Sequence, residues 1–275
     1  MNLGIDYSPL DNFSSSLSDG TARKATAKQM LETVKLHLNA YTQIFGLPSL
    51  AFNGETCDTA QFPTQTVNNN LYVIIEALED QNSQTIASAG PCFSDTQTGR
   101  PIAGVMTINL VLINTAAMNR KETYSVLLHE MFHILGFSDT VFALFRDENA
   151  NYQQRSLNTL MSTMTISSTT FSSVVMQPSL DNARNYYSCS SINGLPLENE
   201  GGQGTQNSHW ETAYFQNELM NPYADIPTKL SELTLKTMEY SSWYRFNTQA
   251  AEPLVWGQGD GCSHFTECPS TSEFC

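Results

Sequence analysis

The sequence predicts an α+β fold: a mixed, twisted sheet with two long helices packed on it, followed by a loop-rich subdomain. Three observations carry this expectation. Apolar residues recur at helical spacing over residues 25–45 and again over 119–135, three dense apolar or β-branched runs lie between these stretches, and beyond Gly136 the chain turns rich in Ser, Thr, Gly and Asn.

In chain order, residues 1–22 are rich in Ser, Asp and Asn and read as a loose lead-in, with one glycosylation sequon at Asn12-Phe13-Ser14. Met30, Val34, Leu38 and Tyr41, with Ile44 or Phe45, form the apolar stripe of the first helix, and His37 reads as a surface residue of it. Residues 71–78, LYVIIEAL, read as a buried strand, and 85–89 and 104–113 as two more. The second helix has Asn119 as its cap and Glu122 three residues on in a capping-box position. Val126, Leu127, Met131, Phe132 and Leu135 form its apolar face, and Gly136 stops it. Residues 155–208 read as loops, and 230–240, LSELTLKTMEY, as a further helix. The expected division is a sheet-and-helix subdomain over 1–138, a central subdomain over 139–256, and the start of a cysteine-rich region over 257–275.

Composition excludes several function classes. With 13 Lys and Arg against 27 Asp and Glu, a net charge of −14, the chain lacks the clustered cations that phosphate binding requires, so nucleic acid is not an expected partner. No window approaches the ~18 consecutive apolar residues of a membrane span. Six cysteines with no CxxC pair favour disulfides in an oxidising compartment over structural zinc. The opening MNLGIDYSPLDNFSSS, with no basic start followed by an apolar run, does not read as a signal peptide, and the last residue is a cysteine in a cysteine-rich stretch. The sequence therefore reads as a monomeric piece of a longer protein, secreted or held at the cell surface.

The second helix carries His129-Glu130-Met131-Phe132-His133, an HExxH pattern. Positions four apart on a helix share a face, so both imidazoles can converge on one ion, and neutral ring nitrogens suit Zn²⁺. Glu130 is placed to act as general base on a water whose pKa the metal lowers to about 7, which points to amide hydrolysis. A catalytic zinc needs a third protein ligand. Besides the pair, the chain offers His37, His209 and His264, and Asp139 three residues after Gly136.

The extended pattern HEMFHILGFSD resembles the metzincin signature, and the chain is similar to the leishmanolysin-like zinc metallopeptidases in particular. In that family the third histidine follows a long insertion, in a block resembling Ser208-His209-Trp210-Glu211, and a methionine eleven residues later forms a turn beneath the metal, as Met220 would here. The segment GPCFSDTQTGRPIAGVMTIN also looks like the stretch that precedes the family's active-site helix. The resemblance runs from about residue 24 to Cys275. It implies a metzincin-type catalytic domain with one catalytic zinc bound by His129, His133 and His209, Glu130 as base, Gly136 as the turn glycine and Met220 in the Met-turn. Tyr223, three residues beyond Met220, takes no ligand role. Also implied are disulfides Cys57–Cys92 and Cys189–Cys262, with Cys268 and Cys275 paired together or with residues outside this chain. The expected activity is endopeptidase action on proteins or peptides, with substrate extended along an edge strand within residues 104–113. The rival expectation is a catalytically silent adhesion or binding module on the same fold.

Overall fold

The computed structural model describes residues 1–47, 49–116, 119–202, 204–223 and 228–265. The chain divides into two compact units, Met1–Gly136 and Phe137–Cys275, and combines helices with sheets in both.

The first unit is built on a four-stranded mixed sheet. Its strands are β1 (Leu3–Asp6), β2 (Leu71–Leu78), β3 (Ala87–Ser94) and β4 (Pro101–Asn109), in the order β1-β2-β4-β3. β1 and β4 both run parallel to β2, while β3 is antiparallel to β4. Two long helices accompany it, α1 (Gly20–Tyr41) and α2 (Arg120–Leu135). The apolar run of β2 is buried on both faces, with Leu71, Val73, Ile74 and Ile75 at 0–1 % exposure, as expected of a strand covered on two sides. On one face Ile74, Ala103 and Val105 join Leu50, Phe52, Ala60 and Phe62 in a small core, and the Cys57–Cys92 disulfide lies beside it. On the other face Gly104 lies directly against Ile134 of α2.

Several expectations change here. The lead-in is ordered: β1 pairs with β2 over Leu3–Asp6, and Ser8–Asn12 makes a short helix with Pro9 in its first turn. Four residues are too few for periodicity to register, and the pairing partner is nearly seventy residues away. Asn119 does precede α2, but its side chain makes no capping hydrogen bond, because the residue sits near φ −97°, ψ 4° rather than in the extended conformation of a cap. The stretch 104–113 is not an edge. Most of its strand residues belong to β4, which has β2 on one side and β3 on the other, so among the described residues the edges of this sheet are β1 and β3.

In the second unit, residues 155–208 hold more regular structure than their composition suggests. β5 (Met161–Ile166) and β6 (Thr169–Val174) form an antiparallel hairpin turned by Ser167 and Ser168, both with positive φ, and β7 (Leu195–Pro196) adds to β6. Thr-rich alternation reads as loop by polarity but as strand by period and β-branching. An eleven-residue helix, α3 (Gln177–Tyr187), follows, with Pro178 in its first turn and Ser188 in the left-handed conformation at its end. The Cys189–Cys262 disulfide then ties the end of α3 to the chain seventy-three residues on. α4 (Glu232–Glu239) starts at Ser231, whose Oγ accepts from Thr234 N–H. The expected pairings of Cys268 and Cys275 lie outside the described residues. Among the described residues no helix is long and apolar enough to cross a membrane.

Candidate metal centre

In the first unit, α2 turns its motif into geometry. His129 and His133 stand one turn apart with their Nε2 atoms 2.9 Å from each other and their rings edge to face, centroids 4.7 Å apart. Both are half-buried. Two ring nitrogens aimed at one point from adjacent helical turns are what a shared borderline metal such as zinc requires. Gly136 adopts φ 114° and its N–H bonds to the carbonyls of Phe132 and His133, so the helix stops at Leu135 and the chain turns away.

Glu130, between the two histidines in sequence, is buried at 7 % exposure. Burial pushes its carboxyl well above the ordinary carboxylate range, and a hydrogen bond from the backbone N–H of Ala89, on edge strand β3, pulls part of the way back. Nothing in the sequence around Ala89 signals this, since the donor is a main-chain group.

In the second unit, His209 is 6 % exposed, and burial holds its pKa below the usual imidazole value. Its Nδ1 lies 2.9 Å from the carbonyl oxygen of Thr205. A carbonyl only accepts, so Nδ1 carries the proton and Nε2 keeps its lone pair, the tautomer a metal ligand needs. The adjoining backbone is tied on both sides: Glu198 N–H donates to the His209 carbonyl at 2.9 Å and Trp210 N–H donates to the Met220 carbonyl at 2.9 Å. Met220 is wholly buried.

The other candidates have work elsewhere. His37 Nδ1 bonds Tyr124 Oη at 3.0 Å within the first unit. His264 stacks on Tyr187, and its Nε2 donates to the Tyr214 carbonyl at 3.0 Å. The carboxylate of Asp139 accepts from Thr140 N–H in the first turn of the short helix Asp139–Phe142. Tyr223 is 54 % exposed.

Three buried carboxylates near His209 in sequence went unread. Glu198 accepts from Thr212 Oγ1 at 2.9 Å and from Glu200 N–H at 3.0 Å. Glu211 is raised to about 7, first by burial and then by the charge of Glu198. Glu218 accepts four hydrogen bonds and is wholly enclosed. Their only sequence signal is acidity within an aromatic, apolar block, where a solvated charge is out of place.

A family model described as leishmanolysin, peptidase family M8, matches residues 29–272. The chain is 29 % identical over 243 residues to a leishmanolysin-like peptidase of Drosophila melanogaster, covering 76 % of this chain and 36 % of that protein. It is 31 % identical over 196 residues to the ciliated left-right organizer metallopeptidase of Xenopus laevis, covering 70 % and 27 %. To the leishmanolysin of Leishmania donovani it is 30 % identical over 208 residues, covering 74 % and 32 %. The chain thus spans about a third of the length of the curated relatives it matches.

Proposed function

The chain belongs to the leishmanolysin family of metallopeptidases, and from that premise we propose that it is the catalytic part of a zinc-dependent endopeptidase acting on proteins or peptides. His129, His133 and His209 hold one catalytic ion, Glu130 is the general base, Gly136 makes the turn after the helix, and Met220 lies in the turn beneath the metal. The observation that carries this reading is the convergence of two Nε2 atoms on α2 beside a buried glutamate. His209 joins them on the strength of its tautomer, its burial and its fixed spacing to Met220. These three histidines are also, among the described residues, the group of side chains suited to share a metal ion, and Asp139 is not in it.

When bound, zinc acts as a Lewis acid on the scissile carbonyl and makes water acidic enough to attack at neutral pH. Glu130 accepts the proton of the attacking water and returns it to the departing amide nitrogen. Its burial beside the two histidines keeps bulk water from competing for that proton. Substrate lies extended along edge strand β3, whose outer backbone groups can pair with a peptide irrespective of its side chains. That favours broad specificity. The two disulfides support an extracellular or cell-surface location, and a monomer is the working state.

The test is hydrolysis of casein by the purified, disulfide-bonded chain beside Glu130→Gln. The parent should cleave, and the variant should retain zinc while turnover falls by about 10²–10⁴-fold or more. Absence of cleavage by a folded, zinc-loaded parent would favour the silent binding module instead.

A further inference from the structure

Glu218 has 0 % exposure and, among the described residues, no ion-pair partner. Lys229, its neighbour across an isolated β-bridge, sends its Nζ to Glu252 at 2.8 Å instead. A carboxylate enclosed in this way is costly unless hydrogen bonds surround it, and its surroundings are all donors. Oε2 accepts from Met220 N–H at 2.5 Å. Oε1 accepts from Ser231 Oγ at 2.6 Å, from Ser231 N–H at 3.2 Å and from Thr234 Oγ1 at 2.6 Å.

These bonds close into a ring. The Thr234 hydroxyl spends its proton on Glu218, so its lone pair is free to accept Trp210 Nε1–H, at 2.9 Å. Trp210 N–H donates to the Met220 carbonyl at 2.9 Å, and Met220 N–H donates back to Glu218. Met220, Glu218, Thr234 and Trp210 therefore form a closed cycle of hydrogen bonds lying within one compact unit. His209 is the residue immediately before Trp210, and its own carbonyl and Nδ1 are held by Glu198 and Thr205. Resting on the reading of His209 as a metal ligand, we propose that Glu218 is a positioning residue that holds the Met220 turn and the His209 segment in fixed register, by clamping both to the first turn of α4.

The chemistry of the node explains why it is a carboxylate. All four partners donate, to two oxygens. Glutamine keeps the shape but supplies one acceptor oxygen, and its NH₂ must face either the Met220 N–H or the Ser231 and Thr234 donors. Either way one arc of the cycle opens. Thr234→Val opens it at another point, removing at once the donor to Glu218 and the acceptor for Trp210.

The experiment compares zinc-loaded parent, Glu218→Gln, Thr234→Val, the double variant and His209→Ala. Zinc release to a chromogenic chelator is followed at a temperature where circular dichroism shows each chain folded. In ¹⁵N-labelled protein the indole N–H resonance of Trp210, one of three tryptophans, is identified by its loss in Trp210→Phe. Glu218→Gln and Thr234→Val should both displace that resonance and raise zinc release by about 10–100-fold, the range for partners that orient a ligand. The double variant should be no worse than the stronger single, because a cycle opened once is open. A lower unfolding midpoint with zinc release and indole resonance unchanged would reduce Glu218 to a buried structural acid. Should Glu218→Gln not fold, Thr234→Val alone decides by the same two readouts. Parent-like zinc retention in His209→Ala would overturn the ligand reading itself, whereas zinc loss there with parent-like retention in Glu218→Gln and Thr234→Val overturns only the positioning role.

Discussion

Replacing Gly104 by alanine tests how closely α2 is seated on the sheet. A Cβ built at this position meets Ile134 Cγ2 at 2.6 Å, Ile134 Cγ1 at 3.1 Å and the backbone oxygen of Gly90 at 2.7 Å. Carbon contacts prefer about 3.5–4.0 Å, so the helix side must retreat by about 1 Å. Ile134 is wholly buried, and Gly90 is held in the β3–β4 ladder opposite Val105. Overpacking costs about 1–3 kcal/mol, and two stiff neighbours place this case toward the upper end, a fall of about 4–12 °C in midpoint. α2 also carries His129, Glu130 and His133, so pushing it off the sheet displaces the proposed base together with two proposed ligands. Turnover should therefore fall by tenfold or more at temperatures where the variant is fully folded. Urea unfolding followed by circular dichroism and casein hydrolysis measure the two effects. Adding Ile134→Val should restore part of the stability, leaving the clash with the Gly90 oxygen. A Gly104→Ala chain within 0.5 kcal/mol of the parent, with unchanged turnover, would refute the reasoning.

Three further outcomes are expected. His209→Ala should lower zinc occupancy measured by atomic absorption after dialysis, whereas Asp139→Ala, whose carboxylate serves the local turn, should not; equal loss in both would reopen the assignment. Burial raises Glu218 from 4.5 to about 7 against the hydrogen bonds from Ser231, Thr234 and Met220 that favour its ionised form, so burying its charge costs the folded chain stability as pH rises from 4.5 through 7. Relative to Glu218→Gln, the parent should lose about 3 kcal/mol over that window, read from urea midpoints at stepped pH; a parallel pair of curves contradicts it. Replacing both cysteines of a bridge by serine should cost about 4 kcal/mol for either pair, slightly more for Cys189–Cys262, whose partners are 73 apart in sequence, than for Cys57–Cys92 at 35. A reversed order in chemical denaturation would show that strain or residual structure outweighs loop closure.

Legibility in the sequence followed the range of the interaction that makes each element. α2 was visible because burial of one face imposes a period within the element itself, and β2 because burial of both faces makes a continuous apolar run. β1 was not, because four residues become a strand only when β2 lies alongside, and β5 and β6 were masked by hydroxyl side chains that the hairpin leaves at its exposed face. The edge of the sheet was misplaced for the same reason: strand order is a long-range property, and β4 reads no differently in sequence for having β3 beyond it. The two disulfide pairs were readable only through resemblance, since spacing alone leaves all connectivities open.

The candidate site divides along this line. A helix converts a separation of four residues into a shared face, so His129 and His133 declare themselves locally, and Glu130 with them. No such rule reaches His209, seventy-six residues beyond His133. What remains readable is its interval of eleven residues to Met220, and the second unit supplies a physical ground for that interval. The chain leaves His209 through Trp210, whose N–H bonds the Met220 carbonyl, and returns through Glu218, whose carboxylate holds the Met220 N–H and reaches Trp210 by way of Thr234. The interval is thus the length of chain that a closed set of hydrogen bonds spans. Lengthening it by one residue would part Trp210 from Met220 while leaving each residue type in place, which is why spacing carried the information that neither a lone histidine nor a lone methionine contains.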